Sequence, residues 1–301
     1  MKNIESFNSG LNKTSNNDLE TSILFRKSVD NILGNTLKSI KQKDIALVIG
    51  AGNINDFSLQ ILSDQFGETI LTDVDLNSVS KSLVKMKKDG NIKGKISLIR
   101  IEYTGFEKNL FFARFKEKII KLKDSTLIEE FLQNRMKTLE DYKFLKEYAN
   151  RVSLLYVSPI YTQLVLNQIL YECAVLRGSG YPEHHLKFIE DVMLEEMPII
   201  IDRFNNNLVN ALHDDGRMVV LSDIFQTDVK SDFYNKIVKN IDNYKRMEDI
   251  YQDYVNSYGI GLGDFGLINL DDKLEVVSSK WVLWPFDEKS SFVVKIQTYK
   301  K

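Results

Sequence analysis

The sequence predicts an α/β protein with a doubly wound, mostly parallel sheet, and three observations predict it. An unbroken apolar run, Ile45–Ile49, meets a glycine turn, Gly50-Ala51-Gly52-Asn53, and then a helix face carrying Phe57, Leu59, Ile61 and Leu62. A second strand, residues 69–72, ends in Asp73-Val74-Asp75 ahead of a helix with Val79 and Leu83 inward. Further short strand runs, 96–101 and 152–157, recur with helical segments between them. Short apolar runs bounded by turns suit strands buried on both faces, and such strands alternate with helices in parallel sheets.

The bulk of the chain narrows its class. At 301 residues it can bury a full core, and 43% hydrophobic with 27% charged residues is the balance of a soluble globular protein. The net charge of −2 sets up no global basic field, so no nucleic-acid partner is expected. The lone Cys173 excludes an internal disulfide, suits a reducing compartment, and sits in an apolar helical pattern as a small core residue. No apolar run reaches 18 residues, and MKNIESFNSG lacks the apolar core of a signal peptide. A cytoplasmic protein with no membrane partner is the expectation.

The glycine turn carries the first chemistry. Gly50 and Gly52 can adopt backbone angles closed to other residues, and without a Cβ they let a ligand approach closely. A dinucleotide fingerprint would place a third glycine where Asn55 stands, which weakens an NAD-dependent oxidoreductase reading. A phosphate loop is excluded because no Gly-Lys-Ser/Thr follows. The stretch IALVIGAGN resembles the first motif of the class I S-adenosylmethionine-dependent methyltransferases, which seat the methionine part of the cofactor on a Gly-x-Gly turn. TDVDLNSV is similar to that family's second motif, whose acidic residue holds the ribose hydroxyls. Asp73 lies 23 residues after Gly50, near the spacing of about 20 at which an acid meets a ribose, and it puts Val79 on the family's apolar helix position. Asp75 reads better as the cap of the following helix.

Taken in order, residues 1–17 are polar and expected to be loosely ordered. Leu19, Ile23, Leu24, Val29, Ile32, Leu33, Leu37 and Ile40 then follow helical spacing. The resemblance implies that such a cap, residues 1–43, closes over the cofactor. After the strand at 96–101, Glu102 matches loosely the acid that accepts from the adenine amino group. Residues 106–150 hold no strand signal and no proline, and read as a helical insertion serving as a lid or as the arm of a homodimer. The strand at 152–157 leads into Ser158-Pro159-Ile160-Tyr161, which resembles the family's fourth motif and partly the amino-group methylation motif, with Ile160 where a second proline belongs. Ser158 and Pro159 are therefore expected at the cofactor's reactive end, and Tyr161 as an aromatic or hydroxyl group on the substrate. His184 and His185 open the next long helix, either as a general base over the pocket or as a pair of exposed histidines. No metal site is expected, because Cys173 and His213 are not at zinc-ligand spacing with them.

Residues 214–217 read as a turn before a fifth strand at 218–222, after which Asp223 is expected to face the substrate. The glycine-dense segment 259–266 follows a helical region and reads as a mobile substrate loop. Two closing strands, about 274–283 and 291–299, complete seven. Over residues 45–299 the resemblance implies a Rossmann-like sheet with an antiparallel last strand, plus the N-terminal helices and the insertion. It implies a methyltransferase of EC 2.1.1 type using S-adenosyl-L-methionine, with Gly50, Ala51, Gly52, Asn53, Asn55, Asp73, Val74, Asp75, Glu102, Ser158 and Pro159 as the binding set. Methylation of nitrogen or oxygen on a small or peptide-like substrate is expected. A non-catalytic relative that only binds the cofactor or a partner remains the other outcome.

Overall fold

The computed structural model describes residues 4–14, 20–88, 90, 92–122 and 124–301. Helices α1 (Ile4–Thr14) and α2 (Glu20–Lys38) precede the sheet. Next come β1 (Ile45–Ile49), the short α3 (Leu59–Ser63), β2 (Glu68–Asp73), α4 (Leu76–Lys88) and β3 (Ile96–Arg100). Helices α5 (Phe111–Lys121) and α6 (Ser125–Lys137) lead to β4 (Val152–Val157), α7 (Leu166–Gly178), α8 (Glu183–Ala211) and β5 (Leu212–Asp228). The chain ends with α9 (Asp232–Asn240), α10 (Tyr244–Tyr258), α11 (Leu262–Asp271), β6 (Glu275–Pro285) and β7 (Ser290–Lys300).

The seven strands form one sheet in the order β3-β2-β1-β4-β5-β7-β6. Neighbours are parallel from β3 through to β5, whereas β7 runs antiparallel to both β5 and β6. The central strands are apolar on both sides because both sides are covered. Leu47 and Ile49 of β1 belong to one hydrophobic cluster, and the alternating Ala46 and Val48 belong to the other. The seven-stranded, mostly parallel architecture with a reversed last strand is as expected.

Several local expectations need correction. Ile4–Thr14 is a helix that buries Ile4 and Phe7, so the expected loose N-terminus does not hold there; residues 1–3, 15–17 and Leu19 lie outside the described residues. Residues 214–217 are not a turn before β5. They form an irregularity inside a 17-residue strand, across which the register with β4 jumps from Leu212 to Arg217. The glycine-dense segment is not a loop beyond residue 261, since α11 begins at Leu262. Its glycines serve packing: a Cβ on Gly263 would sit 2.4 Å from the Asp223 carbonyl oxygen, and one on Gly266 2.4 Å from the Tyr161 ring. The insertion is helical, and none of its described residues lines the cavity at the carboxyl ends of the strands. Phe106, Phe111, Phe112, Phe115, Ile119, Ile128 and Leu132 are all nearly inaccessible, and α6 packs on α8. Each such side chain gains about 1.5–3 kcal/mol by burial, which draws the segment into the core.

Candidate functional site

The parallel strands deliver their carboxyl ends to one rim, and the cavity lies there, as expected for an open α/β sheet. It encloses about 470 Å³ and is walled by the turn after β1, the ends of β2, β3 and β4, the far part of β5 and the hairpin of β6 and β7. Ile4, Asn8, Leu11 and Asn12 of α1, with Ser22 and Arg26 of α2, close it from above. A drug-sized ligand needs about 300–1,000 Å³. A second, more open hollow bounded by Asp44, Glu68, Lys95, Arg151 and His213 lies at the opposite ends of the strands.

The turn after β1 is built by hydrogen bonds from three successive amides. Gly50 N donates to the Tyr103 hydroxyl (3.0 Å), Ala51 N to the Thr72 carbonyl (3.0 Å) and Gly52 N to Asp73 Oδ2 (2.8 Å). Both glycines have positive φ, 70° and 46°, which only glycine adopts without strain. The Thr72 hydroxyl has one proton and donates it to the Val48 carbonyl (2.7 Å), so in its 2.9 Å contact with Tyr103 the tyrosine is the donor. Burial keeps that phenol protonated by pushing its pKa well up.

Asp73 also accepts from Asp75 N through Oδ1 (2.8 Å). Burial pushes its carboxyl above the ordinary range, against the lowering effect of the Asp75 and Gly52 amides. Asp75 is a different kind of acid. It does not line the cavity, and it holds Ser78 N (3.2 Å), Ser78 Oγ (2.6 Å) and Asn12 Nδ2 (3.1 Å). Burial pushes its carboxyl up, but the Ser78 and Asn12 bonds outweigh it and leave the pKa below the ordinary value. It caps α4 and anchors α1.

Gly50, Ala51, Gly52, Asn53, Asn55, Asp73, Val74, Glu102, Ser158 and Pro159 line the cavity together. Asn53 Nδ2 donates to the Asn12 carbonyl (2.6 Å), and the Asn55 carbonyl accepts from Arg26 Nε (2.9 Å), so both asparagines tie the turn to the N-terminal helices. Glu102 reaches the wall, yet its carboxylate is engaged by its own loop, accepting from Thr104 N (2.8 Å), Thr104 Oγ1 and Glu107 N (3.3 Å). Burial raises its pKa as well.

The three residues expected to act on substrate lie elsewhere. Tyr161 is fully buried beside the cavity rather than in its wall, with its hydroxyl on Asn205 Oδ1 (3.0 Å) and its ring edge-on to Phe204. Burial pushes its pKa far up. Neither His184 nor His185 reaches the cavity. They stand at the start of α8 with ring centroids 4.1 Å apart, and His185 Nδ1 meets Ser125 Oγ of α6 at 3.3 Å. Helix phase turns His185 toward the insertion and leaves His184 exposed. Among the described residues no group of three or more His, Cys, Asp or Glu is placed to hold a metal ion.

Other wall residues carry little or no signal in the sequence. Asp56, in the turn but unassigned, is buried, with Oδ2 accepting from Tyr156 (2.9 Å) and Ser158 (2.8 Å), and its pKa is raised by burial. Tyr103 carries no sequence signal, because its target amide lies 53 residues earlier. The same holds for Trp284, Phe286 and Phe292, which reach the wall only through the closing hairpin. Among the described residues the lining holds four carboxylates, Asp56, Asp73, Glu102 and Asp223, against the single guanidinium of Arg26.

The sheet order, with reversed β7 between β5 and β6, is that of the class I methyltransferase fold. It differs from the dinucleotide-binding order 3-2-1-4-5-6. No protein-family model and no curated protein matches the chain. Solved structures do. The N-methyltransferase NodS from Bradyrhizobium japonicum WM9, in complex with S-adenosyl-L-homocysteine, is 11% identical with a TM-score of 0.44, over 98% of this chain and 99% of that one. A SAM-dependent methyltransferase from Aquifex aeolicus is 12% identical with a TM-score of 0.42, over 96% and 97%. The fold assignment rests on strand order and connectivity, not on these likenesses. No described helix is long and apolar enough to cross a membrane.

Proposed function

We propose that this protein is an S-adenosyl-L-methionine-dependent methyltransferase that transfers a methyl group to a nitrogen or oxygen of a small-molecule or peptide-like acceptor. One observation carries the reading. The Gly50, Ala51 and Gly52 amides are turned onto protein acceptors, one of them the Asp73 carboxylate. The turn therefore spends on itself the donors that a pyrophosphate would need, and it holds an acid where the ribose of an adenosyl group belongs.

Asp73 accepts backbone bonds from Gly52 and Asp75, and a carboxylate with about four lone-pair positions keeps capacity for a ribose hydroxyl. Gly50 and Gly52 line the part of the cavity that would take the amino-acid part, and the Arg26 guanidinium is the cation in the described wall that can take its carboxylate. Val74, Glu102 and Thr104 wall the adenine end, with Glu102 shaping its loop more than donating charge. Ser158, Pro159 and Ile160 border the reacting end. When bound, the cofactor supplies an electrophilic methyl on a sulfonium. The protein contributes alignment of the acceptor, and an excess of wall carboxylates that favours a cationic ligand over its neutral product. The enclosed cavity suits a small or peptide acceptor, and the near-neutral net charge and buried Cys173 fit a cytoplasmic enzyme.

Calorimetry with S-adenosylhomocysteine tests the reading. The wild-type protein is expected to bind it, and Asp73→Ala to bind at least tenfold more weakly, since hydrogen bonds to a charged group contribute about 1.5–3 kcal/mol each. Absence of binding, or an unchanged affinity in a variant that circular dichroism shows folded, overturns it.

A further inference from the structure

We infer that the β5 side of the cavity is the acceptor subsite and that it takes a small primary amine, whose ammonium group is held and deprotonated by the Asp223 carboxylate. This deepens the methyltransferase reading and rests on it for the reaction, though not for the binding.

The end of the strand pair places the acid. Val157, the last residue of β4, pairs with Val220 of β5, and Asp223 lies three residues beyond that pair, where it meets Thr162. Asp223 lines the cavity, and its Oδ2 accepts only a long 3.4 Å bond from Thr162 Oγ1. Its Oδ1 is buried and, among the described residues, has no hydrogen-bond partner outside its own residue. A buried acceptor left unsatisfied is costly; the fold leaves this carboxylate short of donors, and a ligand N–H meets it on the side that lines the cavity. The absence of a Cβ on Gly263 lets α11 close onto the Asp223 backbone and keep bulk water from that side.

The hairpin side of the same cavity is aromatic. Phe292 lies 6.2 Å from Trp284 and 5.2 Å from Phe286, between ring centroids, and Gln226 pairs with Phe292 across the sheet. Aromatic faces attract a cation and cover a carbon skeleton. The surplus of carboxylates repels an acidic acceptor, and an alcohol makes no charge pairing there.

The step balances. The ammonium passes one proton to Asp223, and the freed nitrogen lone pair forms the N–C bond to the methyl carbon. The C–S bond breaks with its electron pair going to sulfur. A methylated ammonium, a neutral thioether and one proton result, the proton leaving Asp223 for solvent. Burial pushes the Asp223 carboxyl up to about 6, which makes it a stronger base than an exposed aspartate.

Fluorescence titration of the full-length protein, with and without S-adenosylhomocysteine, tests the subsite. The probes are primary amines from methylamine to 2-phenylethylamine, each paired with the alcohol and the carboxylate of the same skeleton. Trp284 reports, because Trp281 is buried against Glu248. At least one amine is expected to bind about tenfold more tightly than its alcohol, and Asp223→Asn to erase that preference while leaving S-adenosylhomocysteine affinity unchanged. The inference is overturned if no amine outbinds its alcohol, or if the preference survives in Asp223→Asn. The wild-type ranking decides even where the variant does not fold. Failure of S-adenosylhomocysteine to bind at all would instead remove the methyltransferase reading, while the amine ranking without it still judges the subsite.

Discussion

Ile54, two residues beyond Gly52, has φ 55°, a left-handed conformation that β-branched residues avoid. Its amide closes the turn onto the Ala51 carbonyl (2.8 Å), and its side chain is 1% exposed in a cluster with Phe57 and Leu59. Two effects oppose each other there. The backbone strain costs about 1–2 kcal/mol, whereas deleting a large buried aliphatic side chain costs about 2–5 kcal/mol. Packing wins, so Ile54→Gly is expected to destabilise the protein by about 2 kcal/mol in urea unfolding despite relieving the backbone. A stabilised variant would show that the turn is held by something other than the core beneath it.

At the scale of elements, close approach of helices decides the shape of the site. Gly266→Ala in α11 forces a Cβ into the Tyr161 ring and is expected to lower stability by about 1–3 kcal/mol, as overpacking does. Gly178, at the end of α7, has ordinary φ, and a Cβ there would meet nothing within 4 Å. Alanine at that position is expected to be neutral or to stabilise by about 0.4–1 kcal/mol. A thermal melt of the pair separates packing glycines from incidental ones. Helix α1 is held over the cavity by Asn12, which meets Asp75 Oδ2 at 3.1 Å, and by the Arg100–Glu5 ion pair (3.4 Å). Asn12→Asp sets a second carboxylate against Asp75. Faster amide exchange along α1 and several-fold weaker S-adenosylhomocysteine binding are expected; unchanged exchange would mean that Asn12 does not anchor the helix.

Across the whole molecule, the buried acids shape stability against pH. Burial pushes Asp223 and Asp264 up to about 6, and raises Asp56, Asp73 and Glu102 as well. A folded state that holds a proton more tightly than the unfolded chain is favoured at low pH. The contribution of Asp223 and Asp264 is therefore fully present below about pH 4 and is lost as pH rises through about 6, and Asp56, Asp73 and Glu102 act in the same direction. Glu107, held low by Arg100, acts in the opposite sense but is largely screened by solvent. Asp223→Asn removes one of the raised groups. Its stability advantage over wild type in urea unfolding is expected to grow between pH 4 and pH 6 and to level off above about 7. A pH-independent difference would show that Asp223 stays charged at no cost.

Local patterns settled most of the strands and the two central motifs, though not the start of β5, because a buried strand and a glycine turn are patterns of neighbouring residues. The placement of Gly50, Gly52 and Asp73 around one hollow was legible for the same reason: consecutive parallel strands end on the same rim. Tyr161, His184 and His185 were misplaced, since their direction depends on helix phase and on which element packs against them. Asp56, Tyr103, Arg26 and the aromatic hairpin entered the wall through contacts across scores of residues, which no local pattern encodes. Whether residues 106–150 cover a ligand or fill the core, and whether 259–266 is a loop or a helix, turned on competition for buried apolar area among all elements at once. Only the folded chain resolves that competition, because hydrophobic burial is non-directional and its outcome belongs to the packing as a whole.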